Sequence, residues 1–216
     1  MNSMRGKFIT FEGGDGCGKS TQIQLTAEWL AEAGYDVLLT REPGGTKIGE
    51  SIRAILLDPD NTDMADMTEM LLYAAARAQL ARELIEPALS AGKTVVCDRW
   101  VDSSFVYQGA ARGLGDAVRD VNIYAAGTLV SPDATILLDL DPDEALSRAV
   151  GPDGNGRDRI EALGAGYQKK VRAAYLELAA KEPGRIRLID ASGSPEEVHS
   201  LIRAALCESV TGGGTV

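Results

Sequence analysis

The chain has 216 residues, of which 44% are hydrophobic and 25% charged, a composition typical of one globular domain. Its formal net charge of −10 at pH 7 argues against non-specific binding to nucleic acid or to an anionic membrane. Its three cysteines are an odd number without metal-like spacing, which argues against a disulfide framework and fits a reducing cytoplasm.

Length and composition predict one domain over residues 1–210. A disordered tail is predicted over residues 211–216, where glycine is frequent and no apolar periodicity appears. Nothing near Met1 resembles a signal peptide, and no apolar stretch is long enough to span a bilayer. We therefore expect a cytoplasmic protein that does not bind membranes.

Short β-rich runs alternate with helical patterns along the chain. Five strands are predicted, at residues 7–12, 36–40, 94–98, 134–139 and 185–190. Seven helices are predicted, at residues 21–33, 48–57, 68–91, 116–129, 143–149, 166–181 and 195–207, and Pro87 is expected to bend or tighten the end of the longest. This alternation predicts an α/β fold in which helices cover both faces of a five-stranded parallel sheet, with ligands beyond the carboxyl ends of the strands.

The first of these strand ends carries a glycine-rich loop. Residues Gly13 to Ser20 read G-x-x-x-x-G-K-[ST] between a predicted strand and a predicted helix, the context that a phosphate-binding loop requires. Backbone N–H groups would surround a phosphate, Lys19 would reach the terminal phosphates, and the Ser20 hydroxyl would face Mg²⁺. Cys17 at the start of the helix is either a reactive thiol or a small filler.

Charged residues follow the second and third strands in the same way. Arg41 comes before the tight turn of Pro43 and two glycines, which suits anion capture, although a surface cation beside an ordinary loop is the alternative. Asp98 and Arg99 follow an apolar strand, where Asp98 could hold Mg²⁺ through water or orient Arg99. A structural Asp–Arg pair that caps the next helix is the alternative there.

The segments together resemble the thymidylate kinases, a family of P-loop nucleoside monophosphate kinases, from Lys7 to about Leu206. The resemblance rests on five motifs, which are FEGGDGCGKST at 11–21, TREPGGT at 40–46, LYAAARAQ at 72–79, DRW at 98–100 with the following Ser103, Ser104, Tyr107 and Gln108, and DRIE at 158–161. It implies a P-loop kinase fold with a short lid at about 150–158. It also implies transfer of a phosphoryl group from ATP to dTMP with Mg²⁺, in a cytoplasmic homodimer.

The resemblance also assigns roles to individual residues. ATP would be bound by the loop and the first helical turn, that is, by Gly13, Gly14, Asp15, Gly16, Cys17, Gly18, Lys19, Ser20 and Thr21. The substrate would contact Arg41, Pro43, Tyr73, Arg77, Arg99, Ser104, Tyr107 and Gln108. The catalytic residues would be Lys19, Arg99, Arg157 and Asp15, and Mg²⁺ would involve Ser20, Asp15 and Asp98.

Two of these substrate contacts are supported by their spacing. Tyr73 and Arg77 are four residues apart and therefore share one helix face, so that the ring could stack on thymine while the guanidinium reaches its exocyclic oxygen. Packing in the core is the alternative for Tyr73.

The Gly-rich segment before Arg159 is interpreted as a mobile lid that closes over the phosphates, although a disordered connector has the same composition. Gly16 stands where some family members have a catalytic arginine, so the sequence resembles the bacterial type, in which a lid arginine supplies that charge. We favour Arg157 over Arg148 for this role. Asp158 and Glu161 would face the acceptor or magnesium.

The sequence is also compatible with two other functions. One is a kinase for another pyrimidine nucleotide or nucleoside. The other is a P-loop regulator that binds ATP without transfer, which would leave the arginines after the strands without a role.

Overall fold

The computed structural model describes residues 5–149, 159–160 and 163–210. Five strands, β1 Phe8–Gly13, β2 Val37–Arg41, β3 Thr94–Asp98, β4 Ala134–Asp139 and β5 Ile186–Asp190, form one parallel sheet in the order β2-β3-β1-β4-β5. The predicted five-stranded parallel sheet is confirmed. The predicted tail at 211–216 and lid at 150–158 lie outside the described residues.

The helices follow the strands in the predicted alternation. They are α1 Lys19–Glu32, α2 Lys47–Leu57, α3 Asp66–Leu80, α4 Glu86–Ser90, α5 Val101–Ser104, α6 Ala117–Ala126, α7 Pro142–Ala149, α8 Gly164–Lys181 and α9 Pro195–Val210. Among the residues described, no helix combines the length and apolar character needed to cross a membrane.

Helices cover the sheet on both faces because alternate strand residues point to opposite sides. Ile9 and Phe11 of β1 pack in one cluster with Leu30 of α1 and Ile202 of α9. Phe8 points the other way, into a cluster that the α3–α4 region supplies with Leu80, Ile85 and Leu89. A third cluster on that side packs Leu137 of β4 against Val171 and Tyr175 of α8.

The helix predicted at 68–91 is interrupted. A wide π-helical turn at Ala81–Ile85 separates α3 from α4, just before Pro87. Proline has no N–H to donate to the preceding turn, and a π turn is one way in which a helix accommodates that loss. The helical stretch predicted at 68–91 is thus present from Asp66 to Ser90, but before Pro87 it widens into a π turn, where the prediction was that its end bends or tightens.

The sequence also missed a helical segment after β3. There α5 runs directly into a second π turn, Phe105–Ala111, which carries Tyr107 and Gln108. β-Branched residues and Gly109 give this stretch low helix propensity, and packing of Val101 and Val106 in the core holds it instead. The helix predicted at 116–129 was too long, since α6 ends at Ala126 and Gly127–Val130 forms a 3₁₀ turn.

The strand register brings the polar strand ends together. Arg41 at the end of β2 pairs with Asp98, which pairs with Phe11 of the central strand β1. The glycine-rich loop, the Arg41 turn and the Asp98–Arg99 segment therefore leave the sheet side by side. They lie near the centre of the sheet, where β1 has β3 and β2 on one side and β4 and β5 on the other.

Candidate active site

A cavity of about 500 Å³ opens at this edge of the sheet. Most of the predicted site residues line it, namely Asp15, Gly16, Gly18, Lys19, Ser20, Thr21, Arg41, Pro43, Tyr73, Arg77, Asp98, Arg99, Ser104, Tyr107 and Gln108. Among the described lining residues, basic side chains outnumber carboxylates by five to three. The basic residues are Lys19, Arg41, Arg53, Arg77 and Arg99, and the acidic residues are Asp15, Glu42 and Asp98. The cavity therefore suits an anionic ligand although the chain as a whole is acidic.

The floor of the cavity is the glycine-rich loop. A side chain on Gly13 would come within 2.6 Å of the Leu138 carbonyl oxygen, and Gly18 has a left-handed backbone with φ of 89°. In the described part of the chain, no side chain caps the N-terminus of α1, which starts at Lys19, so its first N–H groups remain available for a ligand.

Within the loop, Lys19 and Cys17 are both buried. Lys19 Nζ donates to the carbonyl oxygens of Gly14 at 2.8 Å and Gly13 at 3.2 Å. The Cys17 side chain packs into the core cluster beneath β1, with its residue only 3% exposed. Its position agrees with the interpretation of Cys17 as a filler, while Ser20 and Thr21 are exposed at the cavity.

Arg99 joins the loop to the end of β3. Its side chain donates to Asp15 Oδ1 at 2.6 Å and to the Gly13 carbonyl oxygen at 3.0 Å. Burial alone would raise the pKa of Asp15, but the charges of Arg99 and Lys19 outweigh it and lower that pKa. Arg99 has φ of 66°, a left-handed conformation that is unfavourable for a non-glycine residue and tends to occur at functional sites.

Asp98 lies beside Arg99 on the cavity wall. Its Oδ1 atom is buried and has no hydrogen-bond partner among the described residues. A buried carboxylate oxygen without a donor is costly, and it is relieved by a cation or by an ordered water. The site at Asp98 thus has a free oxygen ligand to offer.

The turn after β2 fixes Arg41 at the rim. Both carboxylate oxygens of Glu50 accept from Arg41 NH2, at 2.8 and 2.9 Å, and one of them also accepts from Gly45 N. The Arg41 side chain is 50% exposed, so it combines a surface position with a place on the cavity edge. Arg53 of α2 donates to the Pro43 carbonyl oxygen at 2.9 Å and thereby ties the turn to α2.

The far wall is formed by α3, on which Tyr73 and Arg77 both face the cavity. Arg77 is buried and donates through Nε to Glu42 Oε2 at 2.9 Å, through NH2 to the other oxygen of Glu42, and through NH1 to Asn122. Its guanidinium also lies 5.4 Å from the centre of the Trp100 ring. Arg77 is therefore held rigidly, with one face toward the cavity.

Ser104, Tyr107 and Gln108 close the cavity from the π-helical segment. Gln108 Nε2 donates to Glu69 Oε1 at 2.9 Å, and the amide oxygen of Gln108 is a group that can accept from a ligand. The Tyr107 hydroxyl is buried without a hydrogen-bond partner in the described part of the chain, and burial raises the pKa of this phenol. Each of these residues offers a polar atom to a buried ligand.

The predicted lid residues are only partly visible. Arg157, Asp158 and Glu161 lie outside the described residues, as does the side chain of Arg148. Arg159 is described and buried, with Nε donating to the Leu56 carbonyl oxygen at 2.8 Å and NH2 lying 2.7 Å from Glu69. Arg159 itself therefore binds to α2 and α3.

Comparison with known proteins identifies the family. A model of the thymidylate kinase family matches residues 11–202. The chain belongs to the thymidylate kinase family. It is accordingly an enzyme of the P-loop kinase fold, and its phosphate donor is ATP, as predicted.

Individual thymidylate kinases are similar over nearly the whole chain. That of Caldanaerobacter subterraneus subsp. tengcongensis is 50% identical over 210 residues, which cover 97% of this chain and 99% of the relative. That of Symbiobacterium thermophilum is 51% identical over 197 residues, covering 91% and 90%. The crystal structure of the Ehrlichia chaffeensis thymidylate kinase is 32% identical and superposes with a TM-score of 0.74, covering 94% of this chain and 99% of that one. None of these supports the two alternative functions.

Several residues of this thymidylate kinase site received no role from the sequence, although some of them stand in the motifs. Glu42, Arg53, Leu57, Trp100, Ser103 and Ile160 also line the cavity, and Glu12 and Tyr175 lie behind it. Burial and the nearby Asp102 raise the pKa of Glu12, while Arg99, Ser103 and Tyr175 limit that rise. Glu12 ends an apolar strand run, and an acid in that position was the one available signal.

Proposed function

We propose that the enzyme transfers the γ-phosphoryl group of ATP to the phosphate of dTMP within the cavity, giving dTDP and ADP. The observation that carries the proposal is that a single cavity is lined by the phosphate-binding loop, by Tyr73 and Arg77, and by Arg99, which contacts the loop. A donor triphosphate on the loop and a nucleotide against Tyr73 and Arg77 would place their phosphates next to each other. Positioning and charge neutralisation are what phosphoryl transfer requires of a protein.

The donor side is the loop and the start of α1. Backbone N–H groups and Thr21 would bind the phosphates, and Lys19 would leave the carbonyl oxygens of Gly13 and Gly14 for the transferring phosphoryl. A lysine at this point neutralises charge as it develops on the oxygens of that group.

The acceptor phosphate would be bound by Arg99 and Arg41. A guanidinium presents two parallel N–H donors to a phosphate, and a lysine does not. Arg99 is already oriented by Asp15, so little side-chain freedom would be lost when the phosphate binds. Asp15 serves the acceptor side through this contact.

The thymine base would lie against Tyr73 and Pro43. Arg77, Ser104 and Gln108 would supply the polar contacts to its edge, and Glu42 and Glu69 hold two of these three in place. Tyr107 would contact the sugar, where its buried ring leaves little room for a 2′-hydroxyl group.

Magnesium would be held by Ser20 and by Asp98, whose buried Oδ1 is free for a cation or its water. No cluster of three acidic, histidine or cysteine residues suited to a metal exists in the described ranges. Mg²⁺ at such sites keeps several waters and binds one or two carboxylates together with substrate phosphates, so the donors present fit it. When bound, it neutralises phosphate charge and orients the phosphates for in-line transfer.

The remaining positive charge is assigned to Arg157. The loop carries Gly16 rather than an arginine, and Arg159 is already engaged with Glu69 and Leu56. Arg157 is therefore the residue of this segment that we propose to approach the transferring phosphoryl.

The enzyme is proposed to be a homodimer. Met67 and Leu71 of α3 are 45% and 50% exposed, and on α6, which packs against α3, Ile123 is 45% and Tyr124 90% exposed. Large apolar side chains gathered on two adjacent helices indicate a surface covered by a partner. Cysteines that are all free in the described part of the chain support a cytoplasmic location, and the net charge supports a protein that binds neither nucleic acid nor membranes.

The test is release of ADP, coupled to an optical signal, with dTMP, dUMP, dCMP and thymidine as acceptors. Turnover that depends on dTMP and exceeds that with the other acceptors is expected. Arg99→Ala should abolish turnover and leave ATP binding intact. Survival of activity within about tenfold, or roughly 1.4 kcal/mol of barrier, would refute the role of Arg99.

A further inference from the structure

A buried carboxylate lies behind Arg99 and has no part in the functions described so far. Glu12 is fully buried at the end of β1. Its Oε1 accepts from the backbone N–H groups of Trp100 at 2.7 Å and Ser103 at 3.3 Å. Its Oε2 contacts the hydroxyls of Ser103 at 2.6 Å and Tyr175 at 2.7 Å. One side chain therefore gathers donors from the segment that follows Arg99 and from α8.

The two hydroxyls also contact Arg99. Arg99 NH1 lies 3.4 Å from Ser103 Oγ and 3.4 Å from the Tyr175 hydroxyl oxygen. The two hydroxyl oxygens also lie 2.9 Å from each other. An ionised carboxylate only accepts hydrogen bonds, so the hydroxyl protons point to Glu12 or to the other hydroxyl. Each hydroxyl then has only lone pairs to present to the guanidinium.

The backbone contacts act on Arg99 as well. Arg99 adopts a left-handed conformation that its surroundings must maintain, since it is unfavourable for a residue with a side chain. Arg99 N donates to the Phe11 carbonyl oxygen at 2.9 Å on one side, and Glu12 binds the next N–H group on the other. Consecutive residues of β1 thus hold the peptide groups on both sides of Arg99.

We propose that Glu12 and Tyr175 are positioning residues for Arg99, which orient its guanidinium toward the acceptor phosphate through the Ser103 and Tyr175 hydroxyls. The inference rests on the proposed function, because it takes Arg99 to bind that phosphate. It assigns to α8 a part in the reaction, although Tyr175 does not line the cavity.

Tyr175→Phe removes one hydroxyl and keeps the ring in its cluster. We expect kcat/KM for dTMP to fall about tenfold, as for loss of a hydrogen bond to a charged group, and KM for ATP to stay within about twofold. Thr10→Val is the matched control, because Thr10 lies on the same strand as Glu12 and its buried hydroxyl pairs with Thr135 at 2.8 Å. That variant should lower the stability and leave both kinetic constants unchanged.

A double-mutant cycle on dTMP affinity separates positioning from a general loss of stability. Calorimetric Kd values are compared for the wild type, Tyr175→Phe, Arg99→Ala and the double variant. If Tyr175 acts through Arg99, Tyr175→Phe weakens binding in the wild type and has no further effect once Arg99 is absent. Equal effects in both backgrounds would overturn the proposal, as would wild-type affinity of the single Tyr175→Phe variant.

Glu12→Gln provides a second route, since the amide is similar in size and its NH₂ group donates. One hydroxyl must then turn its proton toward Arg99, so dTMP binding should weaken by about tenfold or more. Wild-type kinetics in both Glu12→Gln and Tyr175→Phe, with Arg99→Ala inactive, would refute this inference and leave the proposed function standing. An active Arg99→Ala enzyme would refute the role of Arg99 itself.

Discussion

Arg77 and Glu42 form a bidentate ion pair inside the protein, in which the side chains are only 1% and 2% exposed. The pair lies on the cavity wall, and Asn122 completes the hydrogen bonding of the guanidinium. A second arginine–glutamate pair, Arg41 with Glu50, lies at the rim with both partners about half exposed. The two pairs have the same chemistry in different surroundings.

Glu42→Gln should therefore destabilise the protein strongly. Burial raises the pKa of Glu42 to about 7. Above that pH the buried Arg77 charge would lose its counterion, a loss that typically costs about 3 kcal/mol or more. The matched change at the rim, Glu50→Gln, should cost less than about 1 kcal/mol, because water solvates both partners. Urea unfolding measures the free energy of unfolding of both variants. Equal losses of stability in the two variants would show that burial does not determine the contribution of the pair.

Lys19→Met should lower kcat by roughly 1,000-fold, in line with loss of a major group that stabilises transition-state charge. Lys181→Met is the control, since Lys181 is an exposed lysine on α8 that pairs with Glu177. The control should match the wild type in the ADP-release assay. Activity of Lys19→Met within tenfold of the wild type would show that the lysine does not contact the transferring group.

Asp98→Asn should raise the Mg²⁺ concentration required for half-maximal activity by about tenfold, the lower end of the effect seen when a group that orients a bound metal is lost. Asp139→Asn is the control, because Asp139 ends strand β4, on the other side of β1 from Asp98, and accepts two hydrogen bonds from Arg172. Magnesium titrations at saturating ATP and dTMP measure the effect. An unchanged requirement in Asp98→Asn would contradict the magnesium role.

Glu69 should make the stability of the protein depend on acid pH. Burial would raise the pKa of Glu69, but hydrogen bonds from Gln108 and Arg159 and the charge of Arg112 hold it below the ordinary value of 4.5. The folded state thus favours the ionised form. This stabilisation is fully present above pH 4.5 and is lost as the pH falls through the lowered folded-state value.

Glu69→Gln should therefore be less stable than the wild type at pH 7, and the difference in the free energy of unfolding should narrow as the pH falls below 4.5. Urea unfolding at a series of pH values gives both curves. Parallel curves over that range would show that Glu69 has the same pKa in the folded and unfolded protein.

The strands and the phosphate loop were predictable because their signals are local. Runs such as Thr94–Asp98 are apolar and β-branched, and glycines fix the loop from Gly13 to Gly18. The helical segment from Val101 to Ala111 gave no such signal, because its local propensity is low and tertiary packing forms it.

Long-range pairs explain what was missed in the site. Glu12 and Tyr175 are 163 residues apart, and Glu42 and Arg77 are 35 apart. Glu12, Glu42 and Tyr175 received no role from the sequence, because each acquires one only when the fold brings a distant partner near. Tyr73 and Arg77 could be paired in advance because helical spacing links them directly.

The left-handed backbone of Arg99 is unfavourable for the stability of the fold, although the Arg99 side chain is needed for function. At φ of 66° a glycine would be relaxed, whereas the arginine carries strain that its neighbours hold in place. Glycine would relieve that strain, but it would also remove the ion pair with Asp15 and the guanidinium on which turnover depends. An engineered chain that becomes more heat-resistant through this position is therefore expected to be a poorer kinase.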